Sequence, residues 1–186
     1  MPTNMKNVIA DAFFQMVREK GIDKVTVKDL VETCHISRQT FYYHFQDIMD
    51  VLEWSARRGL QVALERSLHE ETPDKVIRGF VAAAMDNHDV IRKLLRSQKR
   101  EYIEKIFVEN LQIYLMELIR RKVPNLPLRY EDAEIALQFC AYGLAGVLLD
   151  HCGREDADPD KIAGQILRLL QGKLVPMLET TEPGCE

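Results

Sequence analysis

The chain has 186 residues, 46% hydrophobic and 29% charged, which suits a globular protein long enough to bury a core. Its formal net charge is −4 and its first fifty residues are not notably basic, so bulk charge does not point to nucleic acid. No uninterrupted apolar run reaches the roughly 20 residues of a membrane span, the N-terminus lacks a signal-peptide core, and Cys34, Cys140, Cys152 and Cys185 form no C-x-x-C; the expectation is a cytoplasmic protein with reduced thiols.

The 9 Gly and 7 Pro mostly fall near the ends of apolar-periodic runs, which predicts an all-α fold. Val8, Ile9, Ala12, Phe13, Met16 and Val17 recur at helical spacing and define a first helix. Gly21 is its C-cap, with Lys20 in the last turn. Thr26 is placed as the N-cap of a short second helix, and Asp29 stands three residues later in a capping-box pattern. Val27, Leu30, Val31 and Cys34 form its inward stripe. His35-Ile36-Ser37 then interrupts the helix, and Ser37 caps a third one over 38–45. Phe41 and Phe45 share one face of it.

A long amphipathic helix is predicted from about 47 to about 71, and Pro73 opens the next at its first turn. Further helices are expected over 73–86, 88–97, 99–123, 130–152 and 159–178. Breaks are expected at Pro124 to Pro127 and at Gly153 to Pro159, with a frayed tail after Glu179.

Two short helices joined by a tight turn and packed on a first helix make the helix-turn-helix plan. The second of the pair must be slim enough for the major groove, held rigidly on one side, and furnished with hydrogen-bonding groups on the other. Residues 38–45 meet all three needs. Phe41 and Phe45 anchor the segment; Arg38, Gln39, Thr40, Tyr42, Tyr43 and His44 cover the rest. Tyr43 is also read as a side chain that lies along the core with only its tip in water.

The segment Val25-Thr26-Val27-Lys28-Asp29-Leu30, followed by Ile36-Ser37-Arg38-Gln39-Thr40-Phe41-Tyr42-Tyr43-His44-Phe45, resembles the TetR family over about residues 5–52. The resemblance implies an all-α fold of about nine helices. It divides the chain into a three-helix DNA-binding domain (1–46), a helical effector-binding and dimerisation domain (47–179) and a tail (180–186). It also implies a DNA-binding regulator, commonly a repressor, with Lys28, Arg38, Gln39, Thr40 and Tyr42 facing the groove and Thr26, Tyr43 and His44 on phosphates. Two departures stand out. The family's turn usually has Gly where this chain has His35, which demands a costly positive φ. The fourth helix often starts with Lys where this chain has Ile48, removing one phosphate contact.

In the same plan the last two helices pair with their two-fold mates, setting the recognition helices one DNA turn apart, roughly 34–36 Å. Ala133, Ala136, Leu137, Cys140, Ala141, Leu144 and Leu148 make one apolar stripe there; Ile162, Ile166, Leu169, Leu170 and Leu174 make another. The expected partners are therefore double-stranded DNA, a second copy of the chain and an effector, with no membrane. Trp54, Phe80, Met85, His88, Tyr102, Phe107, Tyr114 and Phe139 are the candidates to line an effector pocket, or else serve as ordinary core. The effector is a small molecule or a protein, the alternative reading being a TetR-like coactivator controlled by a partner protein rather than a small ligand. The Arg-Gln-Thr-Phe-Tyr run and the short second domain resemble regulators of dihydroxyacetone-kinase operons, some of which answer to a partner protein.

No cofactor or metal is expected, because Cys34-His35 and His151-Cys152 are adjacent pairs whose side chains diverge on a helix. The basic stretch Arg92, Lys93, Arg96, Lys99 and Arg100 reads as a solvated face, or as a seat for an anionic effector or partner. An enzyme is not expected: G-x-S-x-G, H-E-x-x-H and the P-loop are all missing.

Overall fold

The computed structural model describes residues 4–124, 130–152, 154 and 157–172. Among them the chain is helical: α1 (Met5–Lys20), a 3-10 turn (Ile22–Lys24), α2 (Val27–Thr33), α3 (Arg38–His44), α4 (Ile48–His69), α5 (Pro73–Asp86), α6 (His88–Leu95), α7 (Arg100–Lys122), α8 (Tyr130–Cys152) and α9 (Pro159–Leu170).

Most of the boundaries have local causes. Asn4 opens α1 by accepting from the Lys6 N–H, and Gly21 closes it at φ 79°. Thr26 and Asp29 form a reciprocal capping box at α2, as their spacing predicts. Pro73 holds the first turn of α5; its ring drives Thr72 into an extended conformation. α4 ends at His69, short of the expected 71, where Glu70 turns extended at φ −78° and ψ 136°. α6 stops at Leu95 rather than 97, with Arg96 as its C-cap; beyond it the Ser97 hydroxyl donates to Asp23 at 2.6 Å. α9 closes at Leu170, with Gly172 at φ 74°. Gln171 and Gly172 form a turn where the helix is expected to run on; the rest of that stretch, 173–178 with Leu174, lies outside the described residues, as do Cys185, most of the 124–127 break and part of the 153–159 turn.

Three apolar clusters follow one another along the molecule. The first gathers Ile9, Phe13, Leu30, Phe41, Phe45 and Val51 with Val90 and Leu94 of α6 and Ile103 and Ile106 of α7. The second joins α4, α7 and α8 around Leu64, Leu111, Tyr114 and Ala141. The third joins α5, α8 and α9 around Val81, Leu148, Ile162 and Ile166. Arg78 ties α5 to α9, binding Asp74 at 2.9 Å and Asp160 at 2.8 Å. The first cluster matters most for function: the core of α1–α3 is continuous with α6 and α7.

α8 holds no uninterrupted apolar run of membrane-spanning length, yet it is apolar on average. Glu131–Cys152 is long and apolar enough, by length and composition, to cross a membrane. The sequence reading looks for an uninterrupted run; this helix passes on mean hydropathy, 1.4, with Glu134, Gln138 and two glycines interspersed. Only 22% of that window is buried within the chain.

Candidate nucleic-acid interface

α2 ends in a turn whose hydrogen bonds can be followed one by one. The Ile36 N–H donates to the Val31 carbonyl at 3.0 Å, and the His35 N–H to Glu32 at 3.3 Å. This is the double bond of a Schellman turn, with His35 in the position that usually takes glycine. His35 has φ 53°, the one positive φ outside glycine among the described residues, as the missing glycine foretells. Ile36 packs back onto the cluster that holds Val31, completing the hydrophobic contact of the motif.

The turn delivers Ser37, whose Oγ accepts from the Thr40 N–H at 3.0 Å and starts α3. At seven residues α3 cannot stand by helix propensity alone. Phe41 (0% exposed) and Phe45 (2%) hold it, their rings 6.1 Å apart. Phe45 meets Trp54 edge-on at 5.9 Å, and the Lys6 ammonium lies 5.1 Å above the Phe45 ring.

The opposite side of α3 is bare. Arg38, Gln39, Tyr42 and Tyr43 are exposed, whereas Thr40 and His44 are half-buried on the flanks. Those four positions (i, i+1, i+4, i+5) form one continuous stripe. Tyr43 is 83% exposed and Tyr42 58%, so Tyr43 does not lie along the core. Its ring meets the His44 ring edge-on at 5.0 Å. Tyr42 is braced from beneath by Phe41, at 5.4 Å. The Thr40 hydroxyl sits 2.9 Å from that of Ser37, which engages it in the cap. Thr26 and Lys28 are exposed at the start of α2. Thr26 Oγ1 accepts from the Asp29 N–H at 3.1 Å. Lys28 is held only loosely, 3.9 Å from Glu32. Lys20 sits 2.7 Å from Asp29; this contact first, and the Thr26 hydrogen bonds next, keep the Asp29 carboxyl below its ordinary range.

Two ties that sequence reading missed join this unit to the rest. Lys93 of α6 donates to the Arg18 carbonyl and, at 2.9 Å, to that of Glu19, the open carbonyls at the end of α1. A cation there also meets the negative end of the helix dipole. Asp23 accepts from the Ser97 hydroxyl and from the Gln98 N–H. The basic stretch is therefore no uniform solvated face: Lys93 clamps α1, Arg92 pairs with Asp89 at 2.8 Å and Arg100 with Glu104 at 2.7 Å.

The eight candidate effector residues do not come together. Trp54 packs under Phe45. The Tyr102 hydroxyl binds Glu53, and Phe139 is 77% exposed. His88 bonds the Met85 carbonyl at 2.8 Å, while the Met85 sulfur lies 3.8 Å from Cys152. Phe107 lines a small apolar recess between α4, α6 and α7. Phe80 stacks on Tyr114 at 4.9 Å, and Tyr114 reaches Ser67 at 2.7 Å. Phe80 alone of the eight lines the cleft between α4 and α5. Aromatic residues on amphipathic helices mark burial but not a common destination, which is why the set disperses. No metal-holding group of His, Cys, Asp and Glu occurs among the described residues.

A capped, phenylalanine-anchored helix with a polar outer stripe, on an all-helical frame, defines a helix-turn-helix transcription regulator. The family described as bacterial regulatory proteins, tetR family, matches residues 9–53, and a transcriptional regulator C-terminal region of the TetR type matches residues 71–172. The chain belongs to the TetR family of transcriptional regulators. Its family and fold are those of regulators rather than enzymes.

The chain is 35% identical over 49 residues to the HTH-type dhaKLM operon transcriptional activator DhaS of Lactococcus lactis, a match spanning 26% of each chain. Among solved structures, the dihydroxyacetone kinase operon activator DhaS superposes with a TM-score of 0.65 at 18% identity, covering 91% of this chain and 96% of that one. Lin0861 of Listeria innocua superposes with a TM-score of 0.70 at 17% identity, covering 93% and 96%.

Proposed function

We propose that the chain is a cytoplasmic, sequence-specific DNA-binding regulator that acts as a homodimer on a palindromic operator, its affinity for DNA set by an effector. The observation that carries this is the bare stripe Arg38, Gln39, Tyr42 and Tyr43 on the helix whose other side buries Phe41 and Phe45. Arg38 pairs with a guanine edge and Gln39 with an adenine edge. Tyr42, Lys28 and the flanking Thr40 complete the groove-facing set. Thr26, Tyr43 and His44 hold phosphates and fix register. In this reading residues 1–46 form the DNA-binding domain, 47–179 the effector and dimerisation domain, and 180–186 a tail.

The dimer is supported by α8 and α9. Ile135, Phe139 and Tyr142 are 68%, 77% and 58% exposed, and Leu169 and Leu170 about half. Residues 135, 139 and 142 share one face of α8, an exposed apolar surface that a second copy covers. Phe139 thus belongs to the dimer face, not to an effector pocket. Control of DNA follows if the effector binds one arrangement of the two reading heads better than the other, with α6 carrying the change through Lys93 and Asp23. The effector is a small molecule or a partner protein. The DhaS matches favour a second mode within this reading: activation of an operon of the dihydroxyacetone-kinase kind.

Fluorescence titration of the DNA flanking the chain's own gene tests the proposal. Arg38→Ala is expected to lose about 1–3 kcal/mol of discrimination at one operator position. Tyr42→Ala weakens binding as well, and both variants melt at the wild-type temperature. Wild-type operator affinity in both would remove the stripe from the interface.

A further inference from the structure

Beside the reading head, α4 and α5 part to leave a cleft of about 500 Å³, lined in part by Asp11 and Phe14 of α1. The space exists because two positions on its walls carry no side chain. A Cβ added at Gly59 or at Gly79 meets nothing within 4 Å. Val62 and Phe80 supply apolar wall, and three cations, Arg58, Arg66 and Lys75, face two carboxylates, Asp11 and Glu70.

These charges are unequally committed. Arg58 binds Asp11 at 3.2 Å. Among the described residues, the Arg66 and Lys75 side chains have no ion pair or hydrogen bond. The cleft therefore offers two unspent cations beside an apolar trough. Its third cation is held by a solvent-exposed pair that joins α1 of the reading head to α4. Such pairs contribute about 1 kcal/mol or less, so a better acceptor can displace Asp11.

We propose that this cleft is a binding site for an organic anion with an apolar body, and that the bound anion draws Arg58 away from Asp11. The headgroup is held by Arg66 and Lys75, with Arg58 joining once released. The body lies along the trough opened by the two glycines. Occupation loosens a direct tie between α1 and α4. This deepens the effector-controlled reading and depends on it only for the consequence at DNA.

Sodium octanoate is the probe, with 1-octanol as its uncharged twin, titrated into the full chain without DNA. Calorimetry gives the affinity. The chain's one tryptophan gives an optical signal, because the Arg58 guanidinium lies 5.7 Å over the Trp54 ring. Octanoate is expected to saturate one site per chain at least about tenfold more tightly than octanol, the worth of a charge-assisted hydrogen bond. Arg66→Gln with Lys75→Gln removes that advantage. Gly79→Leu fills the trough and blocks both probes, while Lys161→Gln on α9 changes nothing. Asp11→Asn tightens octanoate about two- to fivefold by freeing Arg58.

Unsaturable uptake, equal affinity for octanol, or wild-type binding by both the charge variant and Gly79→Leu at wild-type melting temperatures overturns the site. Unchanged or weaker binding in Asp11→Asn overturns the exchange at Arg58. A separate arm adds the operator: octanoate should lower its affinity in the wild type but not in the charge variant. An operator affinity that stays constant while octanoate binds overturns the regulatory consequence.

Discussion

α3 and α8 solve opposite problems. α3 has seven residues and owes its existence to its surroundings: a serine cap, a Schellman turn and two buried phenylalanines. α8 has 23 residues and more apolar surface than its own chain covers. The short helix is over-determined on one side so that the other is free for a polar partner. The long one is under-covered, which calls for an apolar partner. An exposed side chain therefore means different things in the two regions. On α3 it is a hydrogen-bonding group held in place by burial beneath it; on α8 it is apolar surface that the proposed dimer would cover.

The sharpest way to break this contrast is Phe41→Ala. Truncating a fully buried phenylalanine costs about 3–5 kcal/mol, and α3 has little else to hold it. The expected result is loss of operator binding together with a large fall in melting temperature. Because the first cluster continues into α6 and α7, the loss should appear in one cooperative transition. Retention of full stability would mean that the caps alone sustain the helix.

The corresponding change on α8 is Phe139→Lys. A charge in the middle of the proposed dimer face would be buried without a partner on association. Sedimentation should show a shift from dimer to monomer, while helicity by circular dichroism stays as in wild type. An unchanged dimer would move the interface off this face.

His35→Gly sharpens the contrast in the other direction. A non-glycine residue at φ 53° carries strain of about 1 kcal/mol or more, partly offset because glycine gains more freedom in the unfolded chain. The expected net effect is a stabilisation of a few tenths to about 1 kcal/mol, or a melting point up by about 2–4 °C at most. A lowered melting point would show that the His35 side chain repays its backbone strain.

These effects rest on features that differ greatly in how well sequence exposes them. Gly21, Thr26 with Asp29, Ser37 and Pro73 act within a few residues, so their roles can be read from spacing, and the strain at His35 from the residue that is missing there. Long-range polar ties leave no such trace. Nothing around Lys93 says that its ammonium closes the end of α1, and nothing around Asp23 says that it receives Ser97. The aromatic residues misled for a related reason. Trp54, Tyr102 and Phe139 all signal an apolar face, yet one supports Phe45, one binds Glu53 and one points outward. The cleft beside α1 is made by absent side chains at Gly59 and Gly79, and a search for aromatic lining passes over it.

The smallest predicted effect concerns Asp29, where the cap of α2 meets its charge. Lys20 and the Thr26 hydrogen bonds hold the folded carboxyl below its ordinary value of 3.8. A depressed carboxylate stabilises the fold above the unfolded pKa, and that contribution fades as pH falls through the folded one. The loss thus begins near pH 3.8 and deepens below it, well outside the neutral range. Asp29→Asn should melt below wild type at pH 6, and the gap between the two should narrow by pH 3. A gap that keeps its size would assign the cap to the geometry of Thr26 and not to the charge on Asp29, and α2 would then resemble α3 more closely, a short helix held by hydrogen bonds and packing with no debt to electrostatics.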